Sequence, residues 1–244
     1  MRITLQPSFI LHHRPYRETS LLLDVLTCDH GRMSLIARGV RKNRSQTRPL
    51  LQPFYPLLIS WQGKTELMTL QTVEPQGVPI VLQEESLLGG FYLNELLMRL
   101  LQKHDPHPQL YTIYRDTLLE LSQNLLQQKH LRLFEKKLLD ELGYGLQLQN
   151  SFASDRLYRF IPEHGFELYE GEESVGQGSL FTGKSLLALM AGELDNDEIL
   201  REIKRLMRMA LGVLLGSKPL QSRRLFTGVT THEKRETHSV GSEC

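Results

Sequence analysis

The sequence predicts an α+β protein, with a small β-barrel over residues 1–80 followed by a mostly helical domain over 81–226. Three observations predict it. Short apolar runs, several alternating with period two, fill about the first 75 residues and are bounded by Gly, Pro or Asp. From Ser86 the apolar period lengthens to about 3.6 residues. Between the two regimes Pro75 and Pro79 mark an exit linker.

Each element has its own signal. Ser8–His13 reads as a short strand. Leu21–Thr27 and Met33–Arg38 read as a hairpin turning at Asp29-His30-Gly31, and Pro53–Trp61 with Thr65–Val73 as a second hairpin around Gln62-Gly63-Lys64. Five short strands suggest a closed barrel of the OB type, whose second and third strands and loops bind nucleic acid. Propensity alone does not separate it from an SH3-like barrel.

In the helical part, Leu87, Leu88, Phe91, Leu93, Leu96, Leu97, Leu100 and Leu101 make a broad stripe, expected for a helix buried between neighbours. His104-Asp105-Pro106-His107-Pro108 breaks it. Further helices are expected over about Gln109–Gln128 and His130–Leu142, the latter ended by Gly143. A Gly- and Glu-rich, short-stranded insertion is expected near 146–182. The last helix is expected to be capped by Asp195 with Glu198 three residues on. Leu200, Ile203, Leu206, Met207, Ala210, Leu211 and Leu214 line one face, and the helix stops near Gly216 and Pro219. Residues 227–244 are polar and aperiodic, as expected of a disordered tail.

Net charge is only +1, but its distribution is uneven. Residues 1–80 carry ten Lys/Arg against five Asp/Glu, 81–180 nine against fifteen, and 181–244 ten against eight. A positive face on a balanced protein steers an anionic ligand to one place. The two cysteines, Cys28 and Cys244, build neither a disulfide framework nor a metal knuckle. With no signal-type segment and no membrane-length apolar run, the expectation is a soluble, cytoplasmic protein.

Five cations and no acid lie between Arg38 and Arg48, namely Arg38, Arg41, Lys42, Arg44 and Arg48. On a hairpin tip they suit a phosphate backbone, since such cations release condensed counterions, although a solvated loop has the same composition. Arg201, Lys204, Arg205 and Arg208 fall at i, i+3, i+4 and i+7, on one face of the last helix. They form either a solvated face or a second phosphate track, extended by Lys218, Arg223 and Arg224. Tyr16, between Arg14 and Arg17, is the ring expected to stack on a base.

Gly178-Ser-Leu-Phe-Thr-Gly183-Lys184-Ser185 matches the P-loop pattern, but no buried parallel strand precedes it. Leu180 and Phe181 read instead as core anchors, with Thr182 capping the following helix. The nine His lack metal-ligand spacing, and nothing demands catalysis. The sequence therefore implies no cofactor and no metal. A P-loop NTPase using Gly178–Ser185 and an RNA-binding OB module stay open as alternatives.

Several segments resemble the RecO family of bacterial recombination mediators. They are Ser8–Ser20 with Gly31-Arg32 and Ala37-Arg38-Gly39, Asn94-Glu95-Leu96-Leu97, Phe134-Glu135 through Leu142-Gly143-Tyr144-Gly145, and Met209-Ala210-Leu211 through Gly216-Ser217-Lys218-Pro219 to Leu225-Phe226. The resemblance runs in order over about residues 6–226. It implies an OB-fold, a helical domain and a non-enzymatic role in recombinational repair of DNA damage. It further implies binding of single- and double-stranded DNA, single-strand annealing, and contacts with RecR and with the acidic, Phe-ended tail of single-stranded DNA-binding protein. Assistance to RecA loading in the RecF pathway is implied as well. Many relatives hold zinc in a four-Cys knuckle after the Gly-Tyr-Gly segment. Residues 146–182 contain no Cys, so a zinc-less remnant is expected.

The tail contact needs an apolar pocket beside cations. Leu131, Leu133, Phe134 and Leu138 with Arg132, Lys136 and Lys137 fit that need, and Arg132 is the one position the resemblance carries over. A pairing of Arg132 with Glu135 or Asp140 is the alternative.

Overall fold

The first strand, β1, spans Arg2–Tyr16, well beyond the expected Ser8–His13, in a computed structural model that describes residues 2–42, 45–123, 127–171 and 177–222. The polar flanks are extended because each has a partner. The first half of β1 pairs antiparallel with β4 (Leu57–Gln62), and the second half with β2 (Ser20–Thr27). With β3 (Gly31–Ala37) and β5 (Leu67–Pro75) the sheet closes in the order β1-β2-β3-β5-β4, with β3 and β5 parallel. This is an OB-like barrel.

Alternation builds its interior. Leu21, Leu23 and Val25 of β2 face Met33 and Leu35 of β3, and Leu57, Ile59 and Trp61 of β4 close the core. Burying each such side chain is worth about 1.5–3 kcal/mol.

The described residues form two units. The first takes those up to Gln123 and from Lys218 on, and the second lies within 124–217. In the first, α1 (Glu84–Leu100) and α2 (Pro108–Ser122) pack on the outside of β1 and β2. Phe9 points outward and meets Tyr111 and Tyr114 at ring-centroid distances of 5.5 and 5.3 Å. Leu11 is an extra residue in the register between β1 and β2, so the ladder is disrupted there. Its carbonyl oxygen accepts a 2.8 Å bond from Asn94 Nδ2, and Tyr114 donates its hydroxyl to Asn94 Oδ1.

The turn before β3 is closed over just as tightly. A Cβ on Gly31 (φ +65°) would lie 1.9 Å from the Asp105 carbonyl oxygen. Nearby, Arg32 Nε donates to the Leu101 carbonyl and the His104 N–H to that of Arg32. Helix α2 is shorter than expected, ending at Ser122, where the Ser hydroxyl bonds back to the Leu119 carbonyl.

The second unit packs α3 (Gln127–Glu141) and α4 (Gly183–Ala191) against α5 (Asp197–Leu215). It also holds a small antiparallel sheet, order β7-β6-β8, from β6 (Leu157–Ile161), β7 (Gly165–Leu168) and β8 (Leu180–Thr182). Phe152, Tyr158, Phe160, Phe166 and Phe181 pack ring on ring there, with neighbouring centroids 4.8–6.5 Å apart.

Of the expected α5 stripe, Ile203, Leu206, Met207, Ala210 and Leu211 are buried and Ile199 joins them, while Leu200 and Leu214 are only half-buried. Its cap is Asn196, whose side chain accepts the N–H groups of Glu198 and Ile199. Asp195 is not the cap; it takes Lys129 Nζ at 2.8 Å. Arg44, Arg223, Arg224 and the 227–244 tail lie outside the described residues.

Candidate nucleic-acid interface

Leu21 pairs with Ala37, so β2 begins where β3 ends. Cations from both neighbouring connections therefore gather at that end of the barrel. Beyond Ala37, Gly39 takes a left-handed φ of +72° and Val40 turns into the barrel core. That anchor sets Arg41. Its N–H donates to the Thr19 carbonyl at 2.8 Å, and its guanidinium donates to the Arg17 carbonyl at 3.2 Å. Arg14, Arg17, Arg38 and Lys42 are exposed, and none has a carboxylate partner among the described residues.

Tyr16 is the last residue of β1 rather than part of a loop. It is half-buried, and the Arg17 guanidinium sits 5.4 Å from its ring centroid. The Arg38–Arg48 run is not a hairpin tip, because β5 lies between β3 and β4 in the sheet. It belongs to a crossover that ends in a short 3-10 turn, Arg48–Leu50, with Arg48 exposed. Alternation on either side of a loop says nothing about whether the flanking strands are neighbours.

A groove of about 720 Å³ opens beside Arg38. Arg2, Arg38, Gln62, Gly63, Lys64, Thr69, Leu70 and Gln71 line it, three cations and no acid. Arg2 and Lys64 were not singled out from the sequence, since each is an isolated cation there. The one available signal was the position of Lys64 in the turn between two strands.

In the second unit the cations are more engaged. Arg205 donates to the Leu180 carbonyl, lies 4.8 Å from the Phe181 centroid and is 3.8 Å from Glu202. Arg201 bonds back to the Asp197 carbonyl, Lys204 is half-buried, and Arg201 and Arg208 are exposed. On α3, Arg132 and Phe134 are interior, contrary to an open pocket lined by both. Helical spacing turns them inward with Leu131, Leu138 and Glu135. Arg132 Nη2 meets Glu135 Oε1 at 2.9 Å, with both side chains at most 5% exposed. Its Nε has no hydrogen-bond partner among the described residues. Lys136 is partly exposed and lies 3.5 Å from Asp140.

The P-loop match is occupied from within. Thr182 N–H and Oγ1 bond Glu202 at 2.6 and 2.9 Å, and the Ser185 hydroxyl donates to the same carboxylate. The N–H groups of Gly183 and Lys184 go to the carbonyls of Arg156 and Ser154, and that of Ser185 to Thr182 Oγ1. The N–H groups of Thr182, Gly183, Lys184 and Ser185 are thus spent within the protein, and β8 is antiparallel to β6.

Zinc does not fit the described residues of 146–182 either. No group of three His, Cys, Asp or Glu side chains among the described residues is arranged to hold a metal, and the aromatic cluster fills that region. Among the described residues no helix is long and apolar enough to cross a membrane.

An OB-like barrel with a helical layer, joined to a helical unit with a small antiparallel sheet, defines the class. The particular family follows from comparison with known proteins. Residues 1–78 match the model "Recombination protein O N terminal" and residues 84–224 match "Recombination protein O C terminal". The DNA repair protein RecO of Coxiella burnetii (strain RSA 331 / Henzerling II) is 47% identical over 92% of this chain and 98% of its own. Those of Alkalilimnicola ehrlichii and Haemophilus influenzae (strain 86-028NP) are 44% and 41% identical, over 92% and 93% of this chain and 91% and 97% of theirs. The chain belongs to the RecO family. Membership supports a role in DNA repair and recombination.

Proposed function

We propose that this chain is a DNA-binding recombination mediator without catalytic activity, acting in the cytoplasm at the nucleoid. It binds single- and double-stranded DNA and anneals complementary single strands. The observation that carries this reading is the cation cluster at the Arg17–Arg41 end of the barrel, which has no carboxylate partner among the described residues and is held by backbone bonds. Arg14, Arg38, Arg41, Lys42, Arg44 and Arg48 hold backbone phosphates and Tyr16 offers its ring for stacking on a base. Arg201, Lys204, Arg208, Arg223 and Arg224 are a secondary track, in which Arg205 serves by packing on Phe181.

In this reading the chain also engages RecR and the acidic tail of single-stranded DNA-binding protein, and assists RecA loading in the RecF pathway. Helix α3 is the proposed tail site. Arg132 is buried in an ion pair with Glu135, so it serves the site from behind, by holding the α3 face that carries Lys136 and Lys137. Lys136 and the exposed Lys137 would draw the acidic peptide toward it.

Annealing of complementary strands coated with single-stranded DNA-binding protein tests the whole. The chain should accelerate it. No acceleration, with naked-strand binding intact, would remove the mediator role.

A further inference from the structure

The groove beside Arg38 has a composition that the cluster at the β1–β2 turn does not explain. Its cations come from three separate elements: Arg2 from the start of β1, Arg38 from just beyond β3, and Lys64 from the β4–β5 turn. Backbone pairing sets this convergence, since Arg2 pairs with Gln62, Gln62 with Thr69 and Thr69 with Ile36. The four strands thus place Arg2, Lys64 and Arg38 around one floor of Gln62, Thr69, Leu70 and Gln71. Arg2, Lys64 and Arg38 are exposed, and none has a carboxylate partner among the described residues. Two glutamine amides and a threonine hydroxyl offer donors and acceptors to any base edge, which suits sequence-tolerant contact with an unpaired strand.

Arg38 stands at the border of two cationic surfaces. Across the Gly39–Val40 turn lie Arg41, Lys42, Arg17 and Arg14; on its own side lies the groove. Two strands brought together repel through their phosphates, and a protein that pairs them must neutralise both at once.

We infer that the Arg2–Arg38–Lys64 groove is a second single-strand track, so that the barrel holds two strands side by side with Arg38 between them. This rests on the DNA-binding reading above and deepens it from one strand to two.

The test uses the full chain and its Arg2→Ala/Lys64→Ala double variant, each with a labelled oligonucleotide and then with its labelled complement. Melting and the fluorescence of the single Trp61 in the barrel core check that the variant is folded. First-strand affinity should stay within about twofold at low salt, while annealing slows about tenfold. The salt slope for capturing the second strand should shrink by about 1.4, two phosphates at about 0.7 each. Annealing at the parental rate would overturn the second track. Equal losses in first-strand binding and annealing would also overturn it, showing one continuous site. The DNA-binding reading itself fails differently: the parental chain would then bind neither oligonucleotide, and the groove proposal would fall with it.

Discussion

The Arg41 guanidinium donates a hydrogen bond to the main-chain carbonyl of Arg17, 24 residues earlier in the chain, and so holds two cationic side chains at one corner of the barrel. Like charges gathered this way repel one another in the free protein, and an arriving phosphate backbone relieves that repulsion. The backbone bond from Arg41 to Thr19 and the burial of Val40 hold the corner together; among the described residues no ion pair does so, although Glu18 lies exposed in the same turn.

Replacing Arg41, Lys42 and Arg44 together with Ala should weaken single-strand binding and annealing. It should also reduce the salt slope of binding by about 2, from three phosphate contacts at about 0.7 each. Oligonucleotide titrations at several salt concentrations measure it. Thermal melting should change little, since the Arg41 N–H bond to Thr19 and the Val40 anchor involve no altered side-chain atoms.

Asn94 satisfies the Leu11 carbonyl where the β1–β2 ladder is disrupted, and is itself met by Tyr114. Asn94→Leu should cost about 1–3 kcal/mol of stability, because a buried carbonyl loses its donor. Tyr114→Phe should cost about 1 kcal/mol. Urea denaturation of both single variants and the double variant should show non-additive losses, since the residues share one network.

Glu95 gives a pH signature. Burial disfavours its charge, but the Ser222 hydroxyl and the N–H groups of Ser222 and Gln221 outweigh burial and hold its pKa below the ordinary 4.5. A depressed folded pKa stabilises the fold above the unfolded value, and that contribution is lost as pH falls through the folded one. Parental protein should therefore exceed Glu95→Gln in stability at neutral pH, and the gap should close below pH 4.5. Denaturation at stepped pH measures the gap, and hydrogen exchange at Gln221 and Ser222 reports the release of that segment.

Arg132→Ala should weaken binding of an acidic, Phe-ended tail peptide while sparing naked-DNA affinity. It also takes the Arg132 guanidinium from the buried Glu135, and breaking a buried pair costs up to about 3–5 kcal/mol. Arg132→Met with Glu135→Leu removes both charges and should restore most of the stability but not the peptide binding. Fluorescence polarisation with peptide and with oligonucleotide separates the two.

Legibility in the sequence followed the range of the interactions. The hairpins at Gly31 and Gly63, the α5 stripe and the Thr182 cap were readable because each is decided within a few residues. The failure of the P-loop pattern was also visible in the acidic, Gly-containing composition before it, which no buried strand has. The length of β1 was not, because its polar ends are extended only by pairing with β2 and β4. Nor was the crossover carrying the basic run, which depends on β3 choosing β5 as its neighbour. Arg2 and Lys64 meet Arg38 only when the barrel closes. The inward turn of Arg132 needed Glu135 as a buried partner, a pairing the i, i+3 spacing permits but does not require.

The most direct measurement is equilibrium binding of the full chain to a labelled single-stranded oligonucleotide from near-zero to physiological salt. Tight binding at low salt, with a slope of about −3.5 for five loop cations on phosphates, is the expected result. No complex at the lowest ionic strength, or binding indifferent to salt, would contradict it.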